Sequence, residues 1–363
     1  MKRKKIAFIV PYPKGIAPSQ RFRFEQYLSL LEQDGCEISF YPFFTDNAYR
    51  LIYQPGKFML KSWGVFIAFF KRFLLMFQLK SYAIVFIHRE ASPVGPPVFE
   101  WIIARVLKKK IIYDFDDAIW LENTSQSNKL ISGIKKHSKV VSICRWSTVI
   151  LCGNHYLMNF AKKYNNDVKY MPTTIDLKNG HNQLKQHKRK EKIVLGWTGT
   201  HSTIKYLYEI EDVLFELQKK YDVEVNIISN KEPVFKKLNF NYIPWEKEKE
   251  IEDLLSFDIG IMPLLDNEWA KGKCGFKALQ YMALGIPAVV SPVGVNVEII
   301  RDGINGYIVN DDVDWLDKIS RLIEIEGVRK EIGLEGHKTI LSKYSVEVNK
   351  KKYLEWIDNL FKK

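Results

Sequence analysis

The sequence predicts an α/β protein of two similar domains, each a parallel sheet with helices on both faces. Three observations carry the prediction. Short apolar runs rich in β-branched residues alternate with helix-forming stretches through both halves of the chain. The 363 residues, 46% of them hydrophobic, are too many for one ordinary core; two domains of about 150 to 190 residues fit the usual domain size. Between the halves, Asp176–Glu191 is rich in Asn, Gln, Lys and His and nearly devoid of apolar residues, the composition of a linker.

The first half opens with the strand Ile6–Val10, runs through the loop Pro11–Gln20 into a helix over Phe22–Gln33, and returns in the strand Glu37–Tyr41. An apolar segment, Lys57–Lys80, follows. Then come a strand over Ile84–His88, a helix over Val98–Lys108, a strand over Lys110–Tyr113 with an acidic loop behind it, and strands over Ser147–Leu151 and Val168–Met171. The second half repeats the alternation, with strands over Lys192–Gly196, Val223–Ser229, Phe240–Ile243, Ile259–Pro263, Ala288–Ser291 and Gly306–Val309. A last helix, Val346–Phe361, carries Tyr353, Leu354, Trp356, Ile357 and Leu360, enough apolar surface to dock on another element. The expected boundaries are therefore 1–178, a linker over 179–191, 192–345, and a terminal helix over 346–363. Two domains that each begin with a fresh strand suit a double Rossmann-like arrangement facing a ligand cleft.

A formal charge of +13 asks for an acidic partner, and nucleic acid, anionic lipid and phosphorylated substrates all qualify. No zinc-finger spacing or RNA-binding signature is present, which ranks nucleic acid low. The segment 57–80 is apolar and aromatic with Lys61, Lys71 and Arg72 interspersed. It reads as one or two interfacial helices that prefer an anionic membrane surface, or as an ordinary buried helix. Cys36, Cys144, Cys152 and Cys274 show no metal or redox spacing, and the basic start leads directly into a strand. The expected location is the cytoplasm, peripheral on the inner face of the cell membrane.

The richest segment is Trp269-Ala-Lys271-Gly-Lys273-Cys-Gly-Phe-Lys277-Ala-Leu-Gln280, which runs on through Gly-Ile-Pro287 to the strand Ala288–Ser291. Loop, short helix, stop and buried strand put a cationic helix start at the C-terminal edge of a sheet, where α/β folds bind anions. Lys273, Lys277 and Gln280 share one helix face, which suits an anionic ligand or simply meets water. Gly196-Trp-Thr-Gly199-Thr200 reads as a glycine-punctuated loop offering backbone N–H groups to phosphate. Trp245, at a strand end, can stack on a base or join the core. In the first loop, Gly15 allows close backbone approach and Ser19 can cap a helix that presents Arg21 and Arg23. Asp114, Asp116 and Asp117 follow a buried strand and repel one another unless a cation or hydroxyl-rich ligand relieves them. His88 ends a neighbouring strand.

The segment from Trp269 onward resembles the donor-sugar signature of the group-1 (family 4) glycosyltransferases of the GT-B fold, of the bacterial surface-polysaccharide type. That signature reads Glu-Gly-Phe-Gly, a few residues, Glu-Ala-Met-Ala, then Gly-x-Pro-Val-Val. Its second Glu falls on Gln280; its first falls on Gly272 by spacing or Cys274 by the Gly-Phe match, so neither acid is present. Gly196–Thr200, Phe257–Leu264 and Glu298–Gly306 resemble further family motifs. The resemblance implies a nucleotide-diphosphate sugar as donor, a lipid-linked or glycan acceptor, retention of configuration, and no metal or other cofactor. It implies that Lys271, Lys273 and Lys277 face the diphosphate and that Gln280 takes the ribose. Gly15, Gly199, Thr200, Trp245 and Glu298 would complete the donor site. Asp116 stands where many members have a His near the anomeric carbon, so Asp116 and His88 are the catalytic candidates, and Arg21, Arg23, Asp114 and Asp117 the acceptor side. Family members also place Arg where Trp197 stands, and their terminal helix returns to the first domain. A nucleotide-sugar epimerase and a non-catalytic nucleotide- or glycan-binding subunit are the alternatives.

Overall fold

The computed structural model describes residues 4–52, 56–122, 136–187 and 192–362. It divides into two compact units, Met1–Pro172 with Lys350–Lys363, and Thr173–Asn349. Each unit holds one six-stranded parallel sheet.

In the first unit the strands are β1 (Lys4–Val10), β2 (Cys36–Pro42), β3 (Ile84–His88), β4 (Lys110–Phe115), β5 (Val149–Cys152) and β6 (Val168–Tyr170). Their spatial order is β2-β1-β3-β4-β5-β6. All five residues of β3, and Ile6 to Val10 of β1, are buried, as a sheet covered on both faces requires. Over the sheet Phe8 stacks on Phe86 with centroids 4.7 Å apart, and Phe24 lies 5.0 Å from Phe86.

The second unit contains β7 (Ile193–Gly199), β8 (Val223–Ser229), β9 (Asn241–Pro244), β10 (Ile259–Met262), β11 (Ala288–Val290) and β12 (Tyr307–Ile308). Read from β9, their order is β9-β8-β7-β10-β11-β12, the doubly wound 3-2-1-4-5-6 arrangement. The strand order reverses between β7 and β10, and in such sheets the crevice beyond the strand ends at that point receives the ligand. In the first unit the corresponding point lies between β1 and β3.

The helix Val346–Lys362 starts in the second unit and from Lys350 belongs to the first. Tyr353, Ile357 and Leu360 are buried; Tyr353 stacks on Tyr27 at 4.4 Å, Lys4 pairs with Asp358 at 2.7 Å, and Lys110 Nζ donates to the Leu360 carbonyl at 2.7 Å. The terminal helix thus crosses back to the first domain, as expected.

The expected helix over Phe22–Gln33 is broken into Pro18–Arg21, a 3-10 turn at Glu25–Tyr27, and Leu28–Gln33. The helix expected over Val98–Lys108 is helical at Val98–Trp101 and widens to π-geometry over Ile102–Val106. The segment expected as a linker is tied to the second unit at Lys185 and His187 in its described part, 179–187, while Asn182, Gln183, Leu184 and Gln186 are exposed. Lys185 is buried against Asp258 at 3.0 Å, its backbone N–H donates to Leu284, and His187 Nε2 meets the Gly285 carbonyl at 2.9 Å. Polar composition misleads there because the polar groups have specific partners in the second unit. Residues 188–191 lie outside the described residues.

Candidate functional site

In the second unit, the helix Phe276–Ala283 connects β10 to β11 and so begins at the C-terminal edge of the sheet. Gly275 caps it at φ 68°. An added Cβ there would lie against Ile299 Cδ1 and within 3.2 Å of Val295 Cγ1, and the positive φ is what demands glycine. The helix is also fixed from beneath. Gly196 of β7 and Gly260 of β10 face each other in register, and a Cβ on either would enter the ring of Phe257 or Tyr281 respectively. Tyr281 passes over this bare strip, donates from its hydroxyl to the Ile261 carbonyl at 3.3 Å and accepts from Thr198 N at 3.2 Å. Burial raises its pKa.

This packing corrects one expectation. Gly196 through Gly199 are strand, not loop, and Gly196 makes room for a ring instead of a phosphate. The loop begins at Thr200, whose hydroxyl lies 2.8 Å from that of Ser202, while His201 N donates to Asn230. Gly199 is the last residue of β7.

Lys273 is half-buried just before the helix, and Lys277 is half-buried in its first turn with Nζ 5.2 Å from the centroid of the buried Trp197 ring. A cation over an indole face is attracted by the negative face of the ring. Gln280 is 1% exposed and its Nε2 has no hydrogen-bond partner among the described residues. Lys271 is bonded to Glu268 at 2.9 Å and lies 3.6 Å from Asp266, and the Glu268 bond raises its pKa. Trp245 is half-buried, with Nε1 donating to the buried Glu250 at 3.2 Å. Glu298 is exposed and lines a shallow cavity of about 100 Å³ with Arg301, Glu335 and Lys338.

In the first unit, Arg23 and Asp114, expected at the acceptor, are buried against each other. Arg23 Nη2 donates to Asp114 Oδ1 at 2.5 Å and Nη1 to the Met171 carbonyl. The other carboxylate oxygen meets His88 Nδ1 at 2.7 Å. Burial alone would raise the Asp114 pKa, but the Arg23 charge and the His88 bond hold it below the usual carboxylate value. An ionised carboxylate only accepts, so Nδ1 carries the proton; Nε2 is buried with no partner among the described residues. This network ties the first loop, β3 and β4 together and is closed to solvent.

Asp116 and Asp117 stay half-buried at the β4 edge and converge on Arg89. Its Nε and Nη2 donate to Asp116 Oδ1 at 2.9 and 2.8 Å, and Nη2 to Asp117 Oδ2 at 2.5 Å. Burial opposes the Arg89 charge, yet the two carboxylates outweigh it and raise its pKa. Arg89 adopts φ 58°, a conformation that non-glycine residues rarely hold, and the Asp114 carbonyl and the Tyr113 hydroxyl pin its backbone at 2.8 Å each. Asp114 and Asp116 therefore point to separate partners rather than to a shared cation.

The first loop is clamped as well. The backbone N–H of Gly15 donates to Glu25 at 2.8 Å, and the buried Gln20 bonds Tyr12 in both directions at 3.0 Å. Burial raises the Glu25 pKa. Ser19 is not the cap: the helix starts at Pro18 after Ala17, with no side-chain cap. Arg21 is half-buried over the Phe22 ring at 5.0 Å. Sequence reasoning missed Arg89 as the partner of Asp116 and Tyr281 as the anchor of the helix Phe276–Ala283. The only local signal for either was position, Arg89 directly after a strand and Tyr281 one residue from Gln280.

Residues 192–324, covering most of the second unit, match the family model described as Glycosyl transferases group 1. The second unit is a group 1 glycosyltransferase domain. No curated protein sequence matches the chain. Among solved structures, the chain is similar to the sucrose-phosphate synthase of Thermosynechococcus elongatus, at 11% identity and TM-score 0.73 with 99% of each chain covered. It is similar to the catalytic domain of starch synthase IV from Arabidopsis thaliana bound to ADP and acarbose, at 10% identity and TM-score 0.67 with 99% of each covered. It is also similar to Anabaena HepE in complex with UDP-glucose, at 13% identity and TM-score 0.59, covering 98% of this chain and 99% of that one. These likenesses extend the GT-B fold over both units of the chain.

Proposed function

We propose that this glycosyltransferase moves a sugar from a nucleoside-diphosphate donor to a hydroxyl of a lipid-linked or polysaccharide-precursor acceptor, with retained configuration and without a metal. The observation that carries the reading is the start of the Phe276–Ala283 helix. Its left-handed Gly275 is fixed by Ile299, Lys273 precedes it, and Lys277 sits in the first turn, beside the reversal point of the sheet. Departure of a nucleoside diphosphate builds negative charge, and preorganised cations at a helix start are the electrostatic answer to it. Lys273, just before the helix, and Lys277, in its first turn, take that task, with Lys271 beside them.

Gln280 would supply its buried amide N–H to a ribose hydroxyl, since a buried donor without a partner is costly and a ligand oxygen relieves it. Gly199, Thr200 and Trp245 border the same strand ends and would meet the nucleotide. In the first unit, Asp116 oriented by Arg89 would position the acceptor hydroxyl, with Asp117 and Arg21 beside it. His88, Asp114 and Arg23 hold the frame on which that loop stands. The complexes of HepE with UDP-glucose and of starch synthase IV with ADP support a nucleotide sugar as donor.

The test is transfer with a panel of nucleotide sugars, with and without EDTA, following the anomeric proton of the product by NMR. Transfer that survives EDTA and keeps the donor configuration supports the reading. A donor converted to another nucleotide sugar without acceptor would make the protein an epimerase. Tight donor binding without turnover on any acceptor would make it a binding subunit.

A further inference from the structure

We infer that the first unit carries a two-element face that lies in the surface of an anionic bilayer and does not cross it. The single helix Phe58–Gln78 shows the face most plainly. Met59, Trp63, Phe66, Phe70, Phe73 and Phe77 recur at spacings of four and three along one side, and each is at least half exposed. A row of aromatic and aliphatic side chains of this size has no place facing water. By length and composition the helix would pass for a membrane span.

Its opposite side excludes that. Ala68, Arg72 and Leu75 form a buried stripe, with Ala68 packed on Phe43 and Phe44. Arg72 is 3% exposed; its guanidinium donates to the Tyr41 carbonyl at 3.0 Å and the Val10 carbonyl at 3.2 Å and lies over the Phe43 ring. These bonds fasten the helix lengthwise to the ends of β1 and β2. A spanning helix of about 20 residues needs apolar surface all round, and this one would have to strip Arg72 from both carbonyls to insert. A helix with one side bound to protein and the other apolar is suited to lie in the interface plane.

The second element is Val98–Trp101 with its π-helical continuation through Val106. It packs beside the first helix, with Phe69 and Phe99 rings 5.9 Å apart. It adds exposed Val98, Trp101 and Val106, and Arg105 and Lys108 are exposed next to them. Tryptophan is at home at the level of lipid headgroups.

Charge identifies the occupant. No Asp or Glu occurs between Asp46 and Glu90, whereas Lys57, Lys61, Lys71 and Lys80 flank the apolar stripe. Basic residues around an apolar helix face complement anionic headgroups, each adding attraction within a Debye length. A second copy of the same face would bring like charges together.

The experiment is co-sedimentation of the full chain with vesicles of phosphatidylcholine, alone or mixed with phosphatidylglycerol, across a salt series. Binding is expected to the mixed vesicles and to weaken with salt. The double variant Trp63→Glu, Phe66→Glu should lower partitioning at least tenfold and Trp101→Glu several-fold, with thermal midpoints unchanged because all three side chains are exposed. Lys61→Gln with Lys71→Gln should remove the preference for phosphatidylglycerol. Native membranes washed with alkaline carbonate should release the protein. Retention after carbonate would overturn the in-plane arrangement, and an unaffected Trp101→Glu would overturn the two-element face. A wild-type dimer that the Glu pair converts to monomer without lipid would assign the face to a second copy. Nucleotide-induced stabilisation of the Glu variants, measured in parallel, keeps this test separate from that of donor binding.

Discussion

Replacing Asp114 by Asn separates two roles for the carboxylate, acceptor contact or internal brace. The substitution keeps the shape and removes the charge, leaving the buried Arg23 guanidinium without its counter-ion and His88 Nδ1 without an ionised acceptor. Breaking a buried pair by removing one partner costs about 3 to 5 kcal/mol. For a unit of this size each kcal/mol lowers the melting midpoint by about 2 to 4 °C, so a fall of about 6 to 20 °C is expected. The pH dependence should change with it. The folded Asp114 pKa lies below its unfolded value of about 3.9, so the brace is complete above that pH and is lost as acid protonates the folded carboxylate. Wild-type protein should therefore lose stability steeply below about pH 4, and the variant less steeply, since Asn does not titrate. The assay is calorimetry from pH 7 to pH 3, with transfer activity measured well below the variant midpoint. Retained activity with a lowered midpoint is the expected outcome. An unchanged midpoint with lost activity would refute the brace and return Asp114 to the acceptor.

Gly196→Ala should destabilise the second unit by at least about 1 to 3 kcal/mol through overpacking against Phe257, and adding Phe257→Leu should restore part of it, read by urea unfolding. Lys185→Met removes one partner of the buried ion pair with Asp258 and should cost about 3 to 5 kcal/mol in the same assay, although 179–187 looks like solvated linker in sequence. Gln280→Met removes a buried amide that lacks a partner. Nucleoside diphosphate affinity, measured by calorimetric titration, should fall about threefold to tenfold while stability without ligand holds, because one lost hydrogen bond is worth about 0.5 to 1.5 kcal/mol.

The central strands were legible because both sheets are parallel and buried on both faces there, so each is a short apolar run such as Ile84–His88 or Ala288–Val290. The break in the first helix was not legible. It comes from Gln20 and Glu25 turning inward to clamp the loop at Tyr12 and Gly15, contacts that no periodicity reports. The start of the helix Phe276–Ala283, with Lys273 and Lys277, was readable because loop, stop signal and strand adjoin in sequence. The use of Gly196 was not, since the ring that fills its place comes from Phe257. Likewise the acidic run after β4 reads as one cluster. Only the fold divides it, sending Asp114 inward to Arg23 and His88, and Asp116 and Asp117 to Arg89.

The most direct test of the donor site is a thermal-shift series with UDP, GDP, dTDP and CMP, each with and without magnesium, on wild-type protein, Lys273→Ala and Lys277→Ala. A site at the start of the Phe276–Ala283 helix predicts that one nucleoside diphosphate raises the wild-type midpoint without metal and that either substitution abolishes the rise. No stabilisation by any of them, or stabilisation that needs magnesium and survives both substitutions, would contradict it.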